Sequence, residues 1–260
     1  MERIKYETDL TDAQWNIIEG FFQKPVNIGR PKQYSPREII NAIFYITKAG
    51  CPWRMMPHDL PSWWTVYYYF RLWTGNGKWK QINDNLRRGV RVHEGRDSEP
   101  SAAIIDSQSA KTTDAGDDIG YDAGKKIKGR KRHILVDTLG LLLVVIIHNA
   151  GIQDRDGARL VFNQVNEVNF PRLELVWADG GYSGKLVEEV EAEKNFQIEV
   201  VKRTDDMMGF VVLPKRWIVE RTFGWFGKNR RLSKDYEKTV ESSASFVYAA
   251  MARLMLRRLV

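Results

Sequence analysis

The chain has 260 residues, 43% of them apolar and nine of them Trp, which allows one large domain, or a medium and a small one, around a packed core. A single cysteine, Cys51, excludes disulfides within the chain and Cys-rich zinc sites, and the four His show no close ligand pair. The longest apolar run, Leu141–Ile147, is too short to span a bilayer, and the first ten residues lack the apolar core of a signal peptide, so a cytoplasmic protein with no membrane partner is expected.

The net charge is +7, and its excess lies in residues 215–260, where eleven Lys/Arg face four acids. A second cluster, Lys125–Arg132 (KKIKGRKR), has six basic residues in eight. Such segments attract polyanions by counterion release. A solvated charged face is the plain alternative.

Residues 1–90 read as helical. In Leu10–Trp15, Thr11 can cap a helix and Gln14 can reach back to it. Tyr34–Ile39 repeats the device, with Pro36 at the first helical position. That second helix is expected to end near Gly50. A third runs from Ser62 to about Gly75, and a fourth covers roughly Lys78–Arg88. A turn between the second and third suggests a helix-turn-helix-like module. The third is crowded with Trp63, Trp64, Tyr67, Tyr68, Tyr69, Phe70 and Trp73, as core residues or as base-stacking ones. Gly29–Lys32 is a short basic run of the kind that lies in a minor groove, or a plain basic loop. Arg91–Ser101 is polar and reads as a linker.

From residue 102 the pattern changes to short apolar runs. Ala102–Asp106, His133–Asp137 and Leu141–His148 read as strands, the last two joined by a hairpin turn at Thr138–Gly140. A helix over Asp156–Val168, a strand over Leu173–Ala178, a helix over Gly184–Lys194, a strand over Ile198–Lys202, a helix from Pro214 to near Lys228 and a last helix over Ser242–Leu259 follow. The order predicts an α/β fold with a mixed sheet flanked by helices. The domains expected are residues 1–90, a linker over 91–101, and 102–260.

Three acids fall at telling places in that order. Asp106 ends the first predicted strand, Asp179 ends the fourth just before Gly180-Gly181, and Glu220 lies in the helix after the fifth. Each alone has an ordinary reading: a turn residue, a strand end, an exposed charge or a partner of Arg216 one turn earlier. Together they form a set whose charge of −3 is stable when it holds divalent cations, and oxygen-only ligands favour Mg²⁺ or Mn²⁺. Two such ions suit phosphodiester displacement. Gly224 and Gly227 share the helix face of Arg216 and Glu220, for close approach of DNA backbone or of another helix.

The segments GRPKQYSPREIINAIFYITKAGCPWRMMP, IIDSQSAK around Asp106, GYDAGKKIKGRKRHILVDTLGLLL, WADGGYSG around Asp179 and PKRWIVERTFGWFGKNRRLSKDYE around Glu220 resemble the DDE transposases of bacterial insertion sequences, in the group named after insertion sequence five. The resemblance covers nearly the whole chain. It implies a ribonuclease-H-like catalytic core and a two-ion site on Asp106, Asp179 and Glu220, taking Mg²⁺, with Mn²⁺ as substitute. Arg216 and Glu220 match a Tyr-Arg-Glu-Lys signature of related transposases. Leu213 stands at the Tyr position and Gly227, beside Lys228, at the Lys position, which leaves the role of Lys228 open. Double-stranded DNA is the implied partner, held by Arg30, Lys32, Lys125, Lys126, Lys128, Arg130, Lys131, Arg132, Arg216, Lys228, Arg230 and Arg231. Water is expected to free a 3′-OH at the element end, which then attacks target DNA, in a homodimer or larger assembly at the bacterial nucleoid. A nuclease that cuts without joining, and a DNA-binding regulator with idle carboxylates, are the rivals.

Overall fold

Thr11 and Ser35 start the first two helices as their spacing predicts. A computed structural model of the chain describes residues 3–22, 33–113, 116–201 and 215–260. In α1 (Asp12–Ile18) the Thr11 hydroxyl accepts from the Gln14 N–H at 3.2 Å, and the Gln14 side chain accepts from the Thr11 N–H at 3.1 Å. Ser35 and Glu38 make the same reciprocal pair at the start of α2 (Pro36–Ala49), so two orphan donors are satisfied at each end. The chain leaves α2 at Gly50 and reaches α3 (Trp63–Gly75) only after a connection from Gly50 to Ser62 that contains a 3-10 turn at Trp53–Met55. A helix-turn-helix joins its helices by about three to four residues. The turn expected between α2 and α3 is thus a longer connection than that of a helix-turn-helix.

In α3, Phe70 and Trp73 are buried, whereas Trp64, Tyr68 and Leu72, one turn apart, stand exposed in a row. Helix α4 (Lys78–His93) runs past its predicted end at Arg88. Ile82, Leu86 and Val90 form one buried stripe that carries it on, and Arg91 is drawn inward by an ion pair with Asp137 at 2.8 Å. The predicted linker thus begins inside a helix.

Among the described residues the sheet has six strands: β1 (Ala102–Lys111), β2 (Gly120–Asp122), β3 (Ile127–Asp137), β4 (Leu142–Asn149), β5 (Leu175–Asp179) and β6 (Gln197–Val201). Strand β3 pairs antiparallel with β1 on one edge and with β2 and β4 on the other, and β1, β5 and β6 run parallel. Strand β2 has no apolar run to betray it. Strands β1 and β3 are longer than predicted because their polar halves pair with one another, from Ser107 opposite His133 to Lys111 opposite Gly129.

Alternation along the strands divides the interior in two. Ile104, Ile134, Val136, Leu142 and Val145 face a layer of helices that holds α1–α4, α7 (Arg216–Gly227) and α8 (Val240–Leu259). Ala103, Ile105, Leu135, Leu143 and Val144 face α5 (Asp154–Phe162) and α6 (Lys185–Glu193). Helix α8 packs on α2, α4 and β4, so one apolar core joins the N-terminal helices to the C-terminal helix across residues 91–101. No helix among the described residues is long and apolar enough to cross a membrane.

Candidate active site

Side-chain parity sets the first two acids. Ile104 of β1 lies level with Trp177 of β5, and both face the helical layer. Asp106 and Asp179 come two residues later on the same face, side by side past the end of the pairing between their strands. Asp106 sits in mid-strand, since β1 continues to Lys111, whereas Asp179 is the last residue of β5. The Ser107 N–H donates to Asp106 Oδ1 at 2.7 Å, and the Gly181 N–H donates to Asp179 Oδ1 at 2.8 Å.

Helix α7 brings the third acid. It is seated on the β3–β4 hairpin: Thr222 Oγ1 donates to the Gly140 carbonyl at 2.8 Å, and Arg221 Nη2 to the Leu139 carbonyl at 2.9 Å. Gly140 has φ +77°, and a Cβ there would stand 2.9 Å from Thr222 Oγ1, so only glycine serves both the turn and the contact. Asp137 stiffens the same turn by accepting from the N–H groups of Leu139 and Leu141. Residues of this seat carry no chemical signature, and reading the sequence for carboxylates passes over them.

The three acids meet on one cation. Arg216 Nη2 lies 3.9 Å from Asp106 Oδ2, 3.6 Å from Asp179 Oδ2 and 3.8 Å from Glu220 Oε1. Burial pushes the Asp106 carboxyl up to about 6; its Ser107 N–H bond opposes this, the neighbouring Asp179 adds to it, and Arg216 and Lys125 oppose it. Among the described residues no three His, Cys, Asp or Glu side chains are gathered closely enough to ligate a metal as they stand. The guanidinium holds the centre. The donor set, three carboxylates around a shared positive charge, is of the hard-oxygen kind that suits Mg²⁺ or Mn²⁺.

Behind the acids lies a buried polar network. Ser107 Oγ donates to Asp154 Oδ1 at 2.8 Å, and Lys131 Nζ reaches the same oxygen at 2.9 Å and the Ile152 carbonyl at 2.8 Å. Beside it, His148 Nδ1 sits 2.9 Å from the Asn149 carbonyl, which only accepts, so that nitrogen carries the proton. His148 Nε2 then accepts from His133 Nδ1 at 3.3 Å, and His133 Nε2 accepts from the Tyr182 hydroxyl at 2.8 Å. The chain of bonds ties Tyr182, three residues past Asp179, to the centre of the sheet.

Burial drives His133 down to about 3, with His148 adding to the effect, so the imidazole stays neutral. An unfolded chain takes up this proton near 6.5, so His133 stabilises the fold less as pH falls below that value. Asp106 pulls the opposite way, so a comparison of variants isolates the effect. The stability difference between the wild-type chain and His133→Gln is expected to shrink by about 1–2 kcal/mol between pH 7 and pH 5 in urea unfolding. An unchanged difference would mean that His133 is charged in the fold.

The predicted DNA contacts separate into two groups. Lys125, Lys126, Lys128, Lys228 and Arg230 are exposed, and Lys125 Nζ turns back to the Ser107 carbonyl at 3.4 Å, beside the acids. Arg130 and Arg132 are interior residues of β3. Arg130 donates to the carbonyls of Asp117, Glu237 and Lys238 and pairs with Asp117 and Asp235. Arg132 donates to the carbonyls of Leu232 and Lys234. Lys131 is buried on Asp154, and Arg231 is buried on Glu237 at 2.6 Å and on the Cys51 carbonyl. These four have their donors turned inward and are corrected from phosphate contacts to ties within the fold. Arg30, Lys32 and Leu213 lie outside the described residues.

Arg130→Ala is expected to cost about 3–5 kcal/mol in denaturant unfolding, because it leaves Asp235 and three carbonyls without their buried partner. A loss under about 1 kcal/mol, with weaker DNA binding, would return Arg130 to the DNA surface. Gly224 and Gly227 stand on an exposed face: among the described residues, a Cβ at either meets no atom within 4 Å. Packing against another helix of the described residues therefore does not explain them.

Residues 97–255 match the family described as "Transposase DDE domain", and residues 10–83 match that described as "Putative transposase of IS4/5 family". A Burkholderia cepacia protein named "Putative transposase for insertion sequence element IS402" is 25% identical over 125 residues, 46% of this chain and 59% of that protein. Another, "Insertion element IS402 uncharacterized 16.2 kDa protein" from the same organism, is 28% identical over 118 residues, 43% of this chain and 78% of that protein. The matched stretch thus spans under two thirds of the first relative's length. No solved structure matches the chain. With three carboxylates gathered where β1, β5 and α7 meet, and with the DDE description covering residues 97–255, the chain belongs to the DDE-domain transposases of the IS4/5 type.

Proposed function

We propose that this transposase binds the terminal inverted repeats of its insertion sequence, cleaves at the element ends and joins the freed 3′-OH ends to target DNA. The observation that carries the reading is the convergence of Asp106, Asp179 and Glu220 on a single cationic position. The sheet that holds them, with three antiparallel strands leading into two parallel ones, supports a ribonuclease-H-like core. Asp106, Asp179 and Glu220 are the residues that would hold divalent metal. Two Mg²⁺ or Mn²⁺ ions, when bound, supply activation of the attacking oxygen and charge relief at the leaving one.

The chain's own groups do the rest. The Ser107 and Gly181 N–H groups fix Oδ1 of Asp106 and of Asp179, and Oδ2 of each lies toward the shared cationic position that Arg216 holds. The exposed row of Glu220, Gly224 and Gly227 leaves room for a phosphodiester backbone to lie on α7. Lys125 and Arg216, beside the acids, offset phosphate charge there. Because two element ends are processed together, the working form is a homodimer or larger assembly on DNA.

The test is incubation of the full chain with a labelled duplex carrying its element's end, target plasmid and Mg²⁺ or Mn²⁺, beside Asp106→Ala. Metal-dependent 3′-end cleavage and joined product, both absent in the variant, are expected. Cleavage without joining at correct ends points to a nuclease. Specific binding with neither product points to a regulator, and overturns the proposal.

A further inference from the structure

The C-terminal charge excess has a place that the active site does not use. Helices α2, α7 and α8 enclose a cleft of about 350 Å³ whose lining includes Lys48, Trp225, Lys228, Arg253, Arg257 and Arg258. Five cations thus come together from three parts of the chain. Among the described residues one acid pairs with them: Glu7 lies 3.5 Å from Arg253 and 3.8 Å from Arg257. Arg258 stacks over Trp225 at 4.7 Å, with Arg221 over the same ring at 4.9 Å. Glu94 and Asp137 act on Arg258 only from a distance, and Asp137 is already paired with Arg91. Lys48 Nζ donates to the Lys228 carbonyl at 2.9 Å, satisfying the end of α7. A helix C-terminus contributes about half a negative charge, which a surplus of four cations outweighs.

The cleft is continuous with the candidate active site along α7. Glu220 lies in the second turn of this helix, Gly224 and Gly227 follow on an exposed strip that no side chain among the described residues covers, and Lys228 opens the cleft. Eight residues of helix span about 12 Å. That is roughly three to four base pairs along a duplex axis.

We propose that this cleft is a duplex-DNA anchor: it takes the phosphodiester backbone a few base pairs from the bond held at the three carboxylates, with the α7 glycine strip as the track between them. The proposal rests on the transposase reading and adds the surface that holds the flanking duplex. Its contacts are to phosphate, so they carry affinity and register and not sequence. The helical layer then contributes to DNA binding through Lys48, Arg257 and Arg258, in addition to any base-reading element.

The experiment is fluorescence anisotropy of the full chain with a fluorescein-labelled duplex of arbitrary sequence, over a salt series. The triple variant Lys48→Gln/Arg257→Gln/Arg258→Gln is expected to bind at least about tenfold more weakly, with the slope of log K against log salt reduced by about 2–3. Arg257→Gln alone, at an exposed position, is expected to reduce the slope by about 1 and guards against misfolding of the triple variant. The charge-keeping Lys48→Arg/Arg257→Lys/Arg258→Lys variant is expected to restore binding. Unchanged affinity and slope in Arg257→Gln and in a folded triple variant, with wild-type binding intact, overturns the anchor alone. No salt-dependent duplex binding by the wild-type chain overturns both the anchor and the transposase reading, as does exclusive binding to anionic vesicles.

Discussion

Asp106→Asn is expected to abolish cleavage and, without metal at pH 7.5, to raise the stability of the protein. The two effects have one origin. In the fold the Asp106 carboxyl is held at about 6, against an ordinary 3.8, chiefly by burial. Its ionised form therefore costs about 3 kcal/mol above that pH, and an uncharged isostere avoids much of the cost. An increase of about 1–3 kcal/mol, or several degrees in Tm, is expected. The sign follows from the raised value: the folded chain keeps the proton between 3.8 and 6 while the unfolded chain loses it. The wild-type penalty is therefore complete above 6, and the advantage of Asn fades as pH falls toward 4.

The same variant lacks a charged oxygen where the reaction needs cations held, so a loss of at least about 10³-fold in cleavage is expected. Duplex binding by the folded variant should be unaffected. Saturating Mg²⁺ is expected to reverse the order of stabilities, because only the wild-type chain gains from it. Thermal melts with and without Mg²⁺, beside single-turnover cleavage, check all of this. An Asn variant that is less stable at pH 7.5, or that cuts within tenfold of wild type, overturns the reading of Asp106 as a strained, functional carboxylate.

Arg216→Gln is expected to lower metal-free stability and to tighten binding of divalent ions. Arg216 stands 3.6–3.9 Å from one oxygen of each of the three acids, and its side chain is only 24% exposed. Such pairs are individually worth up to about 4 kcal/mol at an intermediate effective dielectric, with the Glu220 contact discounted because that side chain is half exposed. A metal entering the cluster competes with this guanidinium. Without it, the midpoint of a Mn²⁺ titration, read by thermal shift and by the electron spin signal of free Mn²⁺, is expected to fall by roughly tenfold or more. Arg216→Lys keeps the charge and is expected to behave nearly as wild type. An unchanged Mn²⁺ midpoint in the Gln variant would mean that guanidinium and metal occupy different places.

What the sequence determined by itself is local or periodic. The Thr11–Gln14 and Ser35–Glu38 pairs mark helix starts because a cap involves residues three apart. The apolar runs of β1, β4 and β5 mark strands, and the order of elements puts Asp106 and Asp179 on two of them with Glu220 on a later helix, whereas the pairing of β1 with β5 is a tertiary contact. The tertiary structure decided what each charge meets. KKIKGRKR reads as a basic surface, yet Arg130 and Arg132 are inside, because carbonyls about 100 residues further on come to their donors. Residues 91–101 read as a boundary, yet α8 returns to pack on α2 and α4 and closes one core over them. Lys48, Lys228 and Arg257 are scattered along the chain, and only the packing of three helices makes them one cleft. Periodicity along a chain records which face of an element is apolar. It holds no record of the distant group that neutralises a buried guanidinium, nor of where cations gather once the elements are packed, because both depend on contacts made far apart in sequence.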